Sequence, residues 1–144
     1  MAHQSPASGI KMSTLRFPLR WGEMDALGHI NNVQYLRYFE ESRTSWGESA
    51  GIHLDGKGDG MILLKATVTY KQQLSYPANI VVDLYAGEIG RTSFQMVNTL
   101  CVVGDDAPVA LGEFVLVWFD YVSGKPIPVP AALRAVLEGR ASRI

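Results

Sequence analysis

A single cysteine, Cys101, stands in the 144 residues, so no disulfide can form within the chain. A lone thiol fits a reducing cytosol better than a stapled secreted domain. Cys101 lies in a strand-like stretch with no base near it in sequence, and it reads as a packed thiol rather than a nucleophile. Histidine is almost as scarce, at three. None has a ligand-spaced partner, so neither a metal nor any other cofactor is expected. Neither sign of charge dominates: 13 Lys and Arg against 14 Asp and Glu leave a net −1. That balance argues against broad electrostatic binding to nucleic acid or to an anionic membrane surface. It leaves room only for a local basic patch. No apolar run approaches the ~20 residues that span a bilayer. The segment from Met1 to Ser13 is polar and small, without the apolar core of a signal peptide. The expectation is a flexible tail over 1–13, one domain over 14–144 and a cytoplasmic location.

What is present is a hydrophobic content of 47% with 19% charged residues, enough apolar matter for a real core. The most informative stretch is Asp25-Ala26-Leu27-Gly28-His29-Ile30-Asn31-Asn32, running into Val33-Gln34-Tyr35-Leu36-Arg37-Tyr38-Phe39-Glu40. It reads as the end of a strand, a turn at Gly28 and the start of a helix, with Asn31 and Asn32 where a cap belongs. The unpaired N–H groups of a helix's first turn form a ready site for developing negative charge. A carboxylate beside such a site is apparatus for attack on a carbonyl. On the residues alone, Asp25 as a mere turn cap remains open. So does Gly28 as a source of positive φ or of space.

Before that motif, Leu15, Phe17, Leu19 and Trp21 alternate with Arg16, Pro18 and Arg20, predicting a strand with one buried face. Pro18 places it at an edge or beside an irregularity. Asn32 to about Ala50 reads as a helix closed by Gly51, with Val33, Leu36, Phe39, Trp46 and Ala50 on its apolar stripe and Tyr35 and Tyr38 widening it. Glu40 shares a face with Leu36 and Arg43, and an ion pair with Arg43 is the simplest account of it. Gly51 to Gly60 is glycine-rich with interleaved aspartates. It lacks the closing glutamate of a Ca²⁺ loop and reads as a solvated loop.

From Met61 on, the pattern is of antiparallel strands. The predicted stretches are Ile62–Tyr70, Ile80–Ala86, Phe94–Val102 and Val109–Tyr121, with turns at Gly87–Gly90, Gly104–Asp106 and Ser123–Pro126. Gly112 marks a bulge or a close approach. Pro130–Gly139 reads as a short helix with Leu133, Val136 and Leu137 inward. These elements describe an α+β fold, a curved antiparallel sheet of about five strands wrapped around one long central helix. Such a half-shell leaves an open edge and predicts dimerisation.

The element order and motif together resemble the hotdog fold, specifically the 4-hydroxybenzoyl-CoA thioesterase-like family of acyl-CoA thioesterases. The residues that carry the likeness are Trp21 to Asn32, then Tyr35, Tyr38-Phe39-Glu40 and Arg43. Ile89-Gly90-Arg91-Thr92-Ser93-Phe94 is similar to the family's turn into its fourth strand, and Gly124 to Pro128 to its C-terminal end. The likeness covers about Leu15 to Arg140. It departs at Glu23, where the family often has aspartate, and at Tyr70-Lys71-Gln72-Gln73-Leu74, which is more polar than usual.

The resemblance implies hydrolysis of a thioester to free acid and coenzyme A. Asp25 would be nucleophile or general base, and the amide near Asn32 would polarise the carbonyl. An ordinary carboxylate, with a pKa of about 3.9 in water, is already anionic at neutral pH, so no metal is required. Gly28 and His29 belong to the catalytic loop, His29 as a hydrogen-bonding residue that shapes it. Asn31, Tyr35, Lys71, Arg91, Thr92 and Ser93 would contact the substrate, with Arg91 and Lys71 meeting the coenzyme's phosphates. A second group of hotdog thioesterases carries its carboxylate on the central helix, where Glu40 lies. The family likeness also implies a homodimer or homotetramer with active sites at the dimer interface, and no nucleic acid or membrane insertion. An acyl carrier protein thioesterase, a non-catalytic acyl-CoA-binding module and a dehydratase of the same broad fold are the competing readings.

Overall fold

The computed structural model describes residues 9–144. It contains β1 (Ile10–Pro18), a 3₁₀ turn (Trp21–Glu23), α1 (Asn32–Ala50), β2 (Asp59–Tyr70), β3 (Asn79–Ile89), β4 (Ser93–Val102), β5 (Ala110–Asp120), β6 (Lys125–Pro126) and α2 (Ala131–Leu137). The sheet runs β1-β3-β4-β5-β2, antiparallel throughout, with the two-residue β6 beside β5. This is the expected α+β hotdog fold, a curved sheet around one long helix. Its sixth strand is the short piece at Lys125–Pro126, where only a turn was expected. No helix among the described residues is long and apolar enough to cross a membrane.

Helix α1 begins and ends where its sequence signals lie. Asn31 caps it, accepting the Val33 N–H on its side chain at 3.0 Å. Gly51 ends it in the left-handed region at φ 85°, which glycine adopts without a Cβ penalty. Its core side is Tyr35, Tyr38, Phe39, Ser42, Trp46 and Ala50, all buried against the concave face of the sheet. Phe39 packs on Phe114 of β5, and Tyr38 on Phe17 of β1. Gly112 is the close approach rather than a bulge. A Cβ there would lie 2.6 Å from the Phe114 ring and 2.9 Å from Phe39, and the ladders on both sides of Gly112 run unbroken. Leu133, Val136 and Leu137 of α2 are buried as expected, and Cys101 is a packed thiol whose pKa burial pushes up.

Several expectations need correction. Residues 10–13 belong to β1, so the strand claims the end of the segment expected to be a tail; residues 1–8 lie outside those described. Pro18 does sit on an edge strand, but β1 stops there, and Trp21 turns outward at 72% exposed. Val33 and Leu36 are also exposed, because the core side of α1 is centred on Tyr35, Phe39 and Trp46 and they lie off it. Tyr35 and Tyr38, expected to widen the apolar stripe, are buried with Phe39 and Trp46. In β2 a register shift between Leu63 and Lys65 breaks the alternation and leaves Leu64 exposed.

Candidate active site

The link from β1 to α1 is tied down by backbone hydrogen bonds and by a few side chains. The Asp25 N–H donates to the His29 carbonyl at 2.9 Å and the Gly28 N–H to the Asp25 carbonyl at 3.1 Å, closing a turn. Gly28 needs its freedom for conformation, at φ 80°, because nothing lies within 4 Å of where a Cβ would be. Ile30 donates to the Leu74 carbonyl at 2.7 Å, and the Ser75 hydroxyl to the Gly28 carbonyl at 3.2 Å. These bonds anchor the loop to the segment between β2 and β3. His29 shapes the turn through its carbonyl rather than its imidazole.

Asp25 is half-buried. Its Oδ1 accepts the Leu27 N–H at 2.9 Å, which fixes the carboxylate's orientation, and its other oxygen makes no hydrogen bond within the described residues. At the helix start, Asn31 rather than Asn32 is the cap. The Asn31 side chain takes the Val33 N–H, and its carbonyl takes the Gln34 N–H at 2.9 Å. Among the described residues the Asn32 N–H has no acceptor, so it is the open donor of the first turn. The Tyr70 hydroxyl grips the Asn32 carbonyl at 2.7 Å, and the Tyr70 ring stands edge-on to Tyr35 at 4.9 Å. Tyr70 was missed as a site residue, since in sequence it is simply the last apolar position of a strand. Tyr35, expected to touch substrate, is buried and forms the wall behind the helix start. Burial raises its pKa, with Tyr70 adding to the effect.

Glu23 latches the other side of the loop. Its carboxylate accepts the Arg20 N–H at 2.7 Å, and its carbonyl accepts the N–H of Asn31 at 3.0 Å. The Tyr38 hydroxyl is buried and forms no hydrogen bond of good geometry; burial first, then the nearby Glu23 charge, push its pKa far above the ordinary tyrosine value. A cleft of about 430 Å³ opens here between β1 and α1, lined by Phe17, Arg20, Glu23, Tyr38 and Glu41 among others. Asp25 is not in its wall, so this cleft is separate from the carboxylate and the open amide.

The remaining expected residues divide between the two ends of the sheet. Lys71 follows Tyr70 directly and is exposed at the end where α1 starts. Arg91 and Thr92 lie at the opposite end, in the turn from β3 to β4, and Ser93 opens β4 there. Pro18, where the Asp25 loop departs, pairs with Asn79 at the near end of β3. Eleven residues of β3 at about 3.3 Å each put Arg91 roughly 30 Å away within one chain. Glu40 does not pair with Arg43. It faces solvent and bonds Arg37 at 3.0 Å, while Arg43 is buried with its guanidinium 4.5 Å above the Phe114 ring. Among the described residues, no three His, Cys, Asp or Glu side chains gather where they could hold a metal ion.

Residues 19–137 match the model of the thioesterase-like superfamily. No curated protein matches the chain. Among solved structures, it is similar to PA2801, a proposed thioesterase from Pseudomonas aeruginosa. They share 36% identity over 89% of this chain and 99% of that one, with a TM-score of 0.84. The PA5185 protein of Pseudomonas aeruginosa strain PAO1 shares 25% identity over 93% and 95%, with a TM-score of 0.82. Slr0204, a 1,4-dihydroxy-2-naphthoyl-CoA thioesterase from Synechocystis, shares the fold at 16% identity over 86% and 93%, with a TM-score of 0.78.

Proposed function

The chain belongs to the thioesterase-like superfamily and is a thioester hydrolase; from that premise we propose that it cleaves an acyl-CoA to free acid and coenzyme A, with Asp25 as the catalytic carboxylate. One observation carries the reading. The link from β1 to α1 offers, at Asp25, a carboxylate oriented through one oxygen with the other free. Where it runs into the helix, it offers the unpaired Asn32 N–H. The first supplies an anionic attacking or proton-accepting group. The second supplies a dipole for the oxygen that becomes negative as the thioester carbonyl is attacked. As nucleophile, Asp25 bonds the carbonyl carbon, expels the coenzyme A thiolate and leaves a mixed anhydride that water opens. As base, it takes a proton from a water that attacks instead. One oxyanion donor is worth roughly 10²–10³ in rate on either route. Gly28 and His29 hold the turn between the two groups.

The substrate-facing surface includes Asn31 and Lys71. Trp21, Leu27 and Val33 around it are exposed, at 72%, 81% and 63%, and suit an apolar acyl group or a second subunit. Arg91, with Thr92 and Ser93, reaches a substrate held at Asp25 from a neighbouring subunit. We take the active form to be a homodimer joined edge to edge, or a pair of such dimers, with the sites at the interface. An antiparallel pairing of two β2 edges would set the Arg91 end of one sheet beside the Asp25 end of the other. The test is thiol release from a panel of aromatic, short-chain and long-chain acyl-CoAs. Release from at least one class supports the reading; no release above the buffer rate from any class, with the protein folded, contradicts it.

A further inference from the structure

Asn32 sits between two peptide units, and hydrogen bonds commit every polar atom of them but one. The unit joining Asn31 to Asn32 gives its carbonyl to the Gln34 N–H at 2.9 Å. The unit joining Asn32 to Val33 is held at both ends. Its N–H donates to the Asn31 side chain at 3.0 Å, and its carbonyl accepts the Tyr70 hydroxyl at 2.7 Å. What remains, among the described residues, is the Asn32 N–H. Two of the three bonds are made within residues 31–34 and would travel with the first turn if it frayed, as helix ends do. The bond from Tyr70 crosses 38 positions in sequence and ties that turn to the sheet.

Tyr70 is itself well fixed. It is the last residue of β2, opposite Ala110 in the ladder with β5, and the next two N–H groups, of Lys71 and Gln72, both donate to the Val109 carbonyl, at 2.8 and 3.1 Å. Its ring stands edge-on to the buried Tyr35 at 4.9 Å. Burial raises its pKa above the ordinary tyrosine value of about 10, so it keeps its proton and stays a donor at neutral pH. The chain just beyond Tyr70 also holds the carboxylate's loop, through the Leu74 carbonyl to Ile30 and the Ser75 hydroxyl to Gly28. One stretch, 70–75, therefore grips both halves of the site, the loop that carries Asp25 and the turn that carries the open amide.

We propose that Tyr70 is a positioning residue for hydrolysis: its hydroxyl, through the Asn32 carbonyl, aims the Asn32 N–H at the oxygen that becomes negative when the thioester is attacked. This role rests on the hydrolase reading above and adds to it the group that sets the donor's direction. A donor acts only when aimed at the oxygen of the transition state, and a misplacement of about 1 Å can cost on the order of 10²-fold in rate. That oxygen carries its full charge only in the transition state, so lost aim lowers kcat and leaves KM alone.

Steady-state thiol release by Tyr70→Phe, with urea unfolding of the same sample, tests this. The variant loses one oxygen and keeps the ring on Tyr35, and because Tyr70 is 46% exposed, water can take over the freed Asn32 carbonyl. With an acyl-CoA that the wild type hydrolyses, kcat should fall at least about fivefold, KM should move by less than about twofold, and the urea midpoint should change little. A truncated pantetheine thioester should show the same fall, since it presents the same carbonyl. Tyr70→Leu, which loses the ring as well, should lower kcat by a similar factor and also lower the urea midpoint. A smaller fall in kcat for Tyr70→Phe overturns the assignment. So does a raised KM at unchanged kcat, which would make Tyr70 a substrate contact, and so does a fall that merely follows loss of folded protein. A folded Tyr70→Leu more than about tenfold slower than Tyr70→Phe would give the role to the ring and overturn the assignment to the hydroxyl. Wild-type release beside an unaffected Tyr70→Phe removes this role alone; no release from the wild type removes the hydrolase reading and this role with it.

Discussion

Replacing Gly112 by alanine probes the tightest point between α1 and the sheet. At a compatible φ, Gly→Ala in a strand normally stabilises by roughly 0.5–1 kcal/mol, because the unfolded chain loses freedom. Gly112 has no positive φ, so that gain is available here. Against it stand two aromatic rings. The new Cβ would lie 2.6 and 2.9 Å from two carbons of Phe114 and 2.9 Å from Phe39, well inside van der Waals contact. Both rings are fully buried and hold each other at 5.6 Å, and the Arg43 guanidinium lies on Phe114, so neither can step aside freely. Overpacking of that kind costs about 1–3 kcal/mol and outweighs the entropic gain. The expected net effect is a loss of about 1–2 kcal/mol. Gly87→Ala is the control. Its Cβ meets the amide end of Gln95 at 2.5 Å, a flexible group that can swing away, so stability should change by less than about 0.5 kcal/mol. Urea unfolding followed by tryptophan fluorescence, at one fixed protein concentration, reads both values. A Gly112→Ala protein as stable as wild type would refute the packing argument.

Asn31→Ala removes the acceptor of the Val33 N–H and should cost about 1 kcal/mol of stability. It should also lower kcat, because Val33 and Asn32 would then both present free amides and the helix start would fray. Tyr38 has a raised pKa in the folded protein, so the fold binds that proton more tightly than the unfolded chain does. Its contribution to stability is complete below the unfolded value of about 10 and is lost as pH rises above it, by up to about 1.4 kcal/mol per pH unit. Urea midpoints should therefore fall above pH 10, and less steeply in Tyr38→Phe. Arg91→Ala should raise KM for an acyl-CoA severalfold and leave KM for a truncated pantetheine thioester unchanged. Equal effects on the two substrates would show that Arg91 does not read the nucleotide.

The helix was legible from Asn32 to Ala50 because its ends carry local chemistry: an asparagine whose side chain caps and a glycine that can turn left-handed. Strands β3 and β5 were legible because burial largely alternates along them, which imposes a period of two. Where local rules compete with the curvature of the sheet, the reading failed. Leu64 follows the strand pattern in sequence, yet the shift at Leu63–Lys65 turns it outward. Val33 and Leu36 fit an apolar helical stripe, yet a half-shell leaves that flank of α1 uncovered. The Asp25 loop was legible as a motif. Its division of labour was not, because nothing local says that Asn31 consumes two amides and leaves the third free. Arg43 misled because a charged residue beside Glu40 suggests a surface pair, and only the packing of Phe114 reveals it as buried. Arg91 was separated from Asp25 by topology alone, since β3 carries it to the far end of the sheet.

Single-turnover hydrolysis by Asp25→Asn tests the central claim most directly. The substitution keeps the side chain's shape and the bond from Leu27 to Oδ1 while removing the charge. With an acyl-CoA that the wild type hydrolyses, thiol release should slow at least about a hundredfold, with substrate binding and the unfolding midpoint little changed. Near-normal release by a pure, folded Asp25→Asn protein would contradict the account and move the chemistry to another group.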